Sequence, residues 1–447
     1  MPKGSYSVIF KQKINSFNKN IEVDSDKSIS IRSFLISSIS QGISEVSNTL
    51  ESQDVFDTIS SLKKLNCKIK KISKKKYLVY GKGLGSYYTN KSEVLNLGNS
   101  GTGFRLLSSI CSTTPNLEVK ITGDASLKKR NMSKLINILS EFGATFTPKN
   151  KNFPPFKITS SEMPVGINYK AGVSAQLKSA CILAALNSYG ITNIVENRKI
   201  RSRDHTENIL LANSDVIKIK KNLIKVEGKR FLEPINIKIP ADPSSSAFFT
   251  AITLFSPGSK LKIKNVLLNP TRIGFYKLLK KHGANIKFKN IKKINNEVVG
   301  DIFVKASKIQ PIKASAKYYP STADEYPILF VMASLIKGVS VFNGISDLAN
   351  KESSRAHEMR KILKQIGIKC KLTKDTMKIF GTNKIKSNGI IKLGKLNDHR
   401  LCMSLFCLST ITGLKSYIKS FETVFTSCPS FLKNIKSIGG GFHVKKN

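Results

Sequence analysis

Six copies of one helix–stop–strand pattern divide this chain, and the repeat limits its fold more than any other feature. Apolar, helix-like segments stop at Asn66, Gly143, Ser214, Gly283, Gly367 and Gly439, at intervals of 69 to 84 residues. Four residues before each stop stands Leu62, Leu139, Leu210, Leu279, Leu363 or Ile435. In four copies the same face continues eight residues before, at Leu135, Phe275, Met359 and Phe431. Residues four and eight apart share one helix face, and a Gly just past the last turn takes the left-handed conformation without a Cβ penalty. Three residues after the stops, Ile69, Phe146, Ile217, Ile286, Cys370 and Phe442 open a strand, as in "GATFTP" and "GIKCKL". A period of about 75 residues is too long for the common solenoids. Six α/β units of this size predict two domains of three.

Composition narrows the function. A chain of 447 residues can bury a large core, and no apolar run approaches the roughly 20 residues of a membrane span. Seven cysteines with no C-x-x-C pair fit a reducing compartment, the cytoplasm, better than a disulfide framework. Five scattered histidines without H-E-x-x-H give no transition-metal pattern. The net charge of +45 suits either a nucleic-acid binder or a general bias toward Lys, Ile and Asn that leaves lysines on solvated faces. A positive field of this size also steers small anions. The N-terminus, "MPKGSYSVIFKQKINSFNKN", is basic but has no secretory apolar region; "SYSVIFKQKI" alternates as a strand does.

The units carry different polar clusters. "LNLGNSGTGFRLLSSI", residues 95–110, is a Gly-rich turn opening a helix, which is either a tight turn or an anion site. Its spacing matches neither G-x-G-x-x-G nor G-x-x-x-x-G-K-[ST]. "SDKSISIRSF" groups Lys27, Ser28 and Arg32. "GDASLKKRNM" offers Arg130 before a helix, "GVSAQLKSACILAAL" offers Ser174 and Gln176, and "RSRDHTE" offers Ser202 and Arg203. "ADPSSSAFF" holds Asp242, and "TADEYPILF" sets Asp324 and Glu325 before an apolar run. "KESSRAHEMRKIL" places Glu352 and Arg355 three apart, as on one helix face, and "NDHRLCMSL" has His399–Arg400 before another apolar stretch. Alone, each reads as a helix cap. Together, the eight clusters from "SDKSISIRSF" to "NDHRLCMSL", heading buried-looking helices, read as an arginine- and serine-rich cavity for an anion with several phosphate or carboxylate groups.

In order, "DKSISIR", "GNSGTGFRLL", "GDASLKKRNM", "SAQLKSA", "SRDHTE", "DPSSSAFF", "DEYPILFVMAS", "KESSR" and "DHRLCMSL" closely resemble the 5-enolpyruvylshikimate-3-phosphate synthase family, from about residue 5 to residue 442. The resemblance implies the enolpyruvyl transferase fold, a two-domain inside-out α/β barrel of six βαβαββ units, three per domain. It implies a discontinuous domain of residues 1–25 plus 241–447, an inserted domain of 26–240, and ligands in the cleft between them. The implied reaction transfers the enolpyruvyl group of phosphoenolpyruvate to the 5-hydroxyl of shikimate 3-phosphate and releases phosphate, as a step toward chorismate and the aromatic amino acids. It uses no metal or organic cofactor, and the expected partners are these small anions, not nucleic acid or membrane, bound by a monomer.

By the same resemblance, Lys27, Ser28, Arg32, Ser174, Ala175 (through its backbone), Gln176, Ser202, Arg203, Asp324 and Lys351 would hold shikimate 3-phosphate. Lys27, Asn99, Gly101, Arg130, Gln176, Arg355 and Arg400 would hold phosphoenolpyruvate. Asp324 would take the proton of the 5-hydroxyl and Glu352 would handle the proton at the methylene carbon, with Lys27 reaching both substrates. Two separate acid/base groups are what an addition followed by an elimination needs. Arg105 is left as a brace for its loop.

The chain departs from the family's usual pattern at several points. Asp24–Ser25 replaces Pro-Gly, Ile31 replaces a polar residue, Asn131 replaces Pro, and Thr426 stands where many members have a phosphate-binding lysine. Leu106 replaces a proline, as in the branch often less sensitive to glyphosate, whereas Gly101 is the residue of sensitive members. Two rivals remain in view. The enzyme that enolpyruvylates UDP-N-acetylglucosamine shares the fold, but it carries Lys-Asn where this chain has Lys27–Ser28. A basic nucleic-acid-binding protein would interleave aromatics along a lysine face, and here the aromatics sit in apolar runs.

Overall fold

The computed structural model describes residues 6–10, 12–90, 93–148, 151–198, 201–383, 385, 390–394 and 398–446. The chain groups into two compact units. Unit 1 comprises residues 1–24, 240–292 and 298–447; unit 2 comprises residues 25–239 and 293–297.

Among the described residues each unit contains three open four-stranded sheets, and these six share one plan: a parallel pair at one edge, then two antiparallel neighbours. The copy that begins at Val94 reads directly along the chain. Strand Val94–Asn96, helix Gly101–Thr113, strand Glu118–Thr122, helix Ser133–Glu141 and strands Thr145–Thr147 and Phe156–Thr159 make one βαβαββ unit. The copies starting at Asn168 and Lys313 do the same.

Three copies borrow a strand from a distant stretch of chain. In unit 2, Asn236–Lys238 pairs in parallel with Gln41–Ser47 and so opens the sheet whose other strands come from residues 41–82. In unit 1, Asn18–Ile21 opens the sheet of Lys260–Leu267. Tyr6–Phe10 lies between Ser416–Ile418 and Phe442–Lys446, completing the last sheet. The N-terminal strand expected from "SYSVIFKQKI" thus spans Tyr6–Phe10; Ser5 and Lys11 fall outside the described residues.

The first helix of every copy is buried on nearly all sides. These helices are Lys27–Ile39, Gly101–Thr113, Ala175–Ala185, Pro243–Leu254, Tyr326–Ser334 and His399–Thr412. Many of their serines and threonines tolerate this because the hydroxyl donates to a carbonyl one turn back. Ser33 bonds Ile29 O at 2.9 Å, Ser108 bonds Phe104 O at 2.7 Å, Thr253 bonds Phe249 O at 2.8 Å and Ser404 bonds Arg400 O at 2.7 Å. In unit 1 the helices share one apolar core built around Phe248, Phe249, Phe330, Phe406 and Phe431.

The sheets take the lysines outward. Lys68 and Lys70, Lys218 and Lys220, and Lys287 and Lys289 are all exposed on strands, and Lys68 lies 4.8 Å from the centroid of its cross-strand neighbour Tyr80. Much of the positive charge therefore sits on solvated strand faces. No helix among the described residues is long and apolar enough to cross a membrane.

The sixfold stop has one backbone solution in five copies. Asn66, Gly143, Gly283, Gly367 and Gly439 have φ of 62°, 95°, 94°, 75° and 95°. The next amide bonds back to the buried apolar residue that recurs: Cys67 N to Leu62 O, Ala144 N to Leu139 O, Ala284 N to Leu279 O, Ile368 N to Leu363 O and Gly440 N to Ile435 O. This is the six-to-one bond of a Schellman cap. The third copy, which lacks the glycine, ends differently, with Ser214 extended at φ −164° and bonded to Leu210 O.

A Cβ at Gly367 would meet open space, so Gly367→Ala adds only left-handed strain, expected to cost about 1 kcal/mol. At Gly143 the added Cβ would also lie 2.5 Å from Ser161 Oγ. Urea unfolding should therefore rank Gly143→Ala below Gly367→Ala and both below the parent; equal stability for all three would refute the cap assignment.

Candidate active site

The polar clusters occupy equivalent places. They sit at helix N-termini, where backbone amides lack intrahelical partners and the dipole favours anions. Asp26, Ser100, Ser174, Asp242 and Asp398 cap five of the buried helices through side-chain oxygens, bonding Ile29 N, Gly103 N, Leu177 N, Ser244 N and Arg400 N respectively.

In unit 2 three groups form. Lys27, at the start of its helix, pairs with Asp54 at 2.8 Å, with only a fifth of the Lys27 side chain exposed. Arg32, one turn on and buried, donates to Ser28 O at 3.1 Å and Ser28 Oγ at 2.5 Å, to Ser179 Oγ at 3.0 Å and to Thr206 Oγ1 at 2.8 Å. Its head is held by hydroxyls from three helices, beside Ser28.

The second group is the Gly-rich turn. Arg105 donates to Gly101 O and to Gln176 Oε1, both at 2.9 Å, and Gln176 Nε2 donates to Thr102 Oγ1 at 2.8 Å. Arg105 is thus the brace expected of it. Arg130 donates to Asn99 Oδ1, while its buried Nε has no hydrogen-bond partner. A Cβ at Gly101 would stand 2.7 Å from Arg130 Nη1 and 2.8 Å from Arg105 Nη1, so glycine is what lets both guanidinium groups approach this turn. Behind the turn, burial pushes the Asp57 carboxyl up to about 6, with Asp54 and Asp124 adding to the rise.

The third group holds Ser174, Ala175, Ser202 and Arg203. Ser174 caps the helix that Ala175 begins. Ser202 is buried and faces Glu196, and Arg203 is half-buried. His205, two residues on, lies 2.7 Å from Glu297 through Nδ1. Asp204, His205 and Glu297 each bring one ligand-type atom within 4.8 Å of the others, and a hydrogen bond alone accounts for the His205–Glu297 distance.

In unit 1 the chemistry converges on Arg355, which is 1% exposed. Its Nε lies 3.0 Å from Asp398 Oδ2, its Nη2 lies 2.5 Å from Glu352 Oε2, and its Nη1 lies 3.5 Å from Asp324 Oδ1. Burial works against the Arg355 charge, but Asp398, Glu352 and Asp324 outweigh it and raise the pKa further. Asp324 and Glu352 remain about a fifth exposed, whereas Asp398 is fully buried. Glu352 precedes the helix Arg355–Gln365 instead of sharing its face; a bend brings its carboxylate back to the first helical residue.

Lys351 pairs with Asp347 at 2.9 Å, and Asp347 also accepts from Tyr319 OH at 2.8 Å. Arg400 is buried at the start of its helix, and its Nε has no hydrogen-bond partner. Asp24, one of the unusual residues, accepts from Ser430 N and Oγ at 2.8 and 2.7 Å and so ties the N-terminal segment to the start of Phe431–Ser437. The sequence reading missed Asp54, Glu196 and Asp398. Of these, Asp398 stood in plain view before His399–Arg400 but reads as an ordinary cap.

The EPSP synthase (3-phosphoshikimate 1-carboxyvinyltransferase) family model matches residues 11–435. The chain belongs to this family. It is 37% identical over 432 residues to the 3-phosphoshikimate 1-carboxyvinyltransferase of Petrotoga mobilis, covering 95% of this chain and 97% of that protein. It is 38% identical over 418 residues to the protein of that name from a Thermoanaerobacter species, covering 92% and 96%. Among solved structures, EPSP synthase from Acinetobacter baumannii superposes with a TM-score of 0.86 at 32% identity, over 99% of this chain and all of that one. The enolpyruvyl transferase NikO from Streptomyces tendae, at 10% identity and a TM-score of 0.74, shares the fold. The chain is accordingly a transferase with the enolpyruvyl transferase fold.

Replacing Asp398 by Asn would leave a buried guanidinium short of its most buried counter-charge, a change that costs about 3 kcal/mol in such settings. Asp398→Asn should therefore lose stability of that order in chemical denaturation, and a variant as stable as the parent would refute the assignment.

Proposed function

We infer that the chain transfers the enolpyruvyl group of phosphoenolpyruvate to the 5-hydroxyl of shikimate 3-phosphate, releasing phosphate, in the pathway to chorismate and the aromatic amino acids. Family membership supports the reaction. The observation that carries the residue assignment is the bonding of Asp324, Glu352 and Asp398 to one buried arginine, which leaves only Asp324 and Glu352 partly exposed.

In this reading Asp324 accepts the 5-hydroxyl proton while the oxygen attacks C2 of phosphoenolpyruvate. Glu352, entering the cycle protonated, delivers a proton to C3, turning the methylene into a methyl group. In the second step Glu352 takes a proton back from C3, the C2–O bond to phosphate breaks, and the proton held by Asp324 leaves with the phosphate. Each carboxylate thus ends as it began. Positive charge develops at C2 during addition, and the two carboxylates favour it.

The remaining residues hold anions in line. Lys27, Ser28, Arg32, Ser174, the Ala175 amide, Gln176, Ser202, Arg203 and Lys351 take shikimate 3-phosphate. Lys27, Asn99, Gly101, Arg130, Gln176, Arg355 and Arg400 take phosphoenolpyruvate. Arg130 and Arg400 each carry a buried Nε–H without a partner, and a buried donor of this kind calls for an acceptor. Arg355 is already engaged on all three nitrogens by carboxylates, so its first task here is to place Asp324 and Glu352. The reading puts the chain in a reducing cytoplasm, where its seven cysteines stay free.

Purified protein mixed with shikimate 3-phosphate and phosphoenolpyruvate should release phosphate. Asp324→Ala should cut kcat by about 100-fold or more, the scale of a lost general base, with little change in KM. Arg400→Ala should chiefly raise the KM for phosphoenolpyruvate. Absence of turnover from folded protein would refute the reaction, and equal effects on both parameters in both variants would refute the roles.

A further inference from the structure

Ser202 stands in a motif with a proposed role, but the residue that fixes it lies outside every motif. Glu196 follows the strand Ile191–Val195. Its backbone is clamped to one residue on both sides: Glu196 N donates to Asn222 O at 2.8 Å, and Asn222 Nδ2 donates to Glu196 O at 3.0 Å. From this fixed base its side chain reaches across to Ser202, where Oε1 accepts from Ser202 N at 3.3 Å and from Ser202 Oγ at 3.2 Å.

A carboxylate beside a phosphate-binding segment would repel the ligand unless its charge were balanced. Lys178 offsets that charge, and burial pushes the pKa of its other carboxylate partner, Glu207, up. Lys178 lies on the helix Ala175–Ala185, one turn beyond the residues proposed to meet the same phosphate, and its side chain is fully buried. Its Nζ sits 2.8 Å from Glu196 Oε1 and 2.6 Å from Glu207 Oε1. Glu207 belongs to the helix His205–Asn213, which Ser202 and Arg203 precede. The neighbouring pair repeats the link with neutral groups: Thr206 Oγ1 donates to Ser179 Oγ at 2.9 Å, and Arg32 donates to both. Two consecutive residues of one helix, Lys178 and Ser179, are thus joined to two consecutive residues of the other, Thr206 and Glu207.

We propose that Glu196 is a positioning residue for the shikimate 3-phosphate site: paired with the buried Lys178, it holds Ser202 and the Arg203 beside it where the substrate phosphate is received. This inference rests on the proposed function, and it deepens the account of that site. Glu196 does not touch the reacting atoms. Its effect is confined to one substrate, because the phosphoenolpyruvate residues Asn99, Gly101 and Arg130 lie in a separate hydrogen-bonded group.

Glu196→Ala leaves Lys178 paired with Glu207, so the helices stay joined. Two measurements test the proposal. Hydrogen exchange on the ligand-free protein, which requires no activity, should be faster at the Ser202 amide in Glu196→Ala than in the parent. Steady-state kinetics should show the KM for shikimate 3-phosphate raised about tenfold, the scale of a lost hydrogen bond to a charged group. The KM for phosphoenolpyruvate and kcat should stay within about twofold. Glu196→Gln, which keeps an acceptor oxygen for Ser202, should recover part of the loss. Unchanged exchange, or equal changes in both KM values, would overturn the proposal. A parent protein that shows no turnover while Glu196→Ala speeds exchange would instead refute the proposed function and leave Glu196 as the holder of Ser202.

Discussion

A guanidinium buried at the start of a helix is costly unless its charge is matched, and Arg355 is matched three times. Asp398, fully buried, supplies the nearest countercharge to the core and also caps the helix His399–Thr412 through Arg400 N. That one carboxylate therefore joins two helix N-termini. Ser353 Oγ donates to it as well, at 2.8 Å, which pins the bend that carries Glu352. Asp324 and Glu352 then take the remaining nitrogens from the more open side. The two carboxylates proposed to act on different protons are placed by a single planar fork, whose geometry Lys could not reproduce.

The rest of the fold serves the same end. Six βαβαββ copies present two helix N-termini each, and most of the residues proposed to carry the chemistry sit at or just before them. Burying the first helix of each copy on nearly all sides keeps its N-terminus fixed, with many serine and threonine hydroxyls bonded inside their own helix. The second helix of each copy is closed in five of six cases by a left-handed residue and a six-to-one hydrogen bond. The lysines, displaced from this interior, cover the outer strands.

What the sequence made legible follows from the range of each interaction. The helix stops were readable because a Schellman cap is local: Gly or Asn, a buried residue four before it and a strand three after it. The polar clusters at helix N-termini were readable because caps draw on a short list of residue types. The borrowed pairings were not readable. Asn236–Lys238 and Asn18–Ile21 are too short to show alternation, and their pairing is decided by chain segments far away. Glu352 and Arg355 looked like neighbours on a helix face, yet the helix begins at Arg355, and a bend rather than helical periodicity makes their contact. Glu196 gave no signal, since its partners Ser202, Lys178 and Asn222 meet it only in three dimensions.

The central claim is that Glu352 both gives and takes a proton at C3 of the enolpyruvyl group, through an intermediate in which that carbon is a methyl. Run in deuterium oxide, the reaction should therefore place solvent deuterium in the vinyl methylene of the product, because a methyl carrying two protons and one deuteron can lose any of them. Mass spectrometry of the product reads this directly. Deuterium should appear at that carbon with the parent enzyme, and should be lost along with turnover in Glu352→Gln. Product formed at the normal rate with no deuterium in its methylene, or full incorporation by Glu352→Gln, would contradict this role of Glu352.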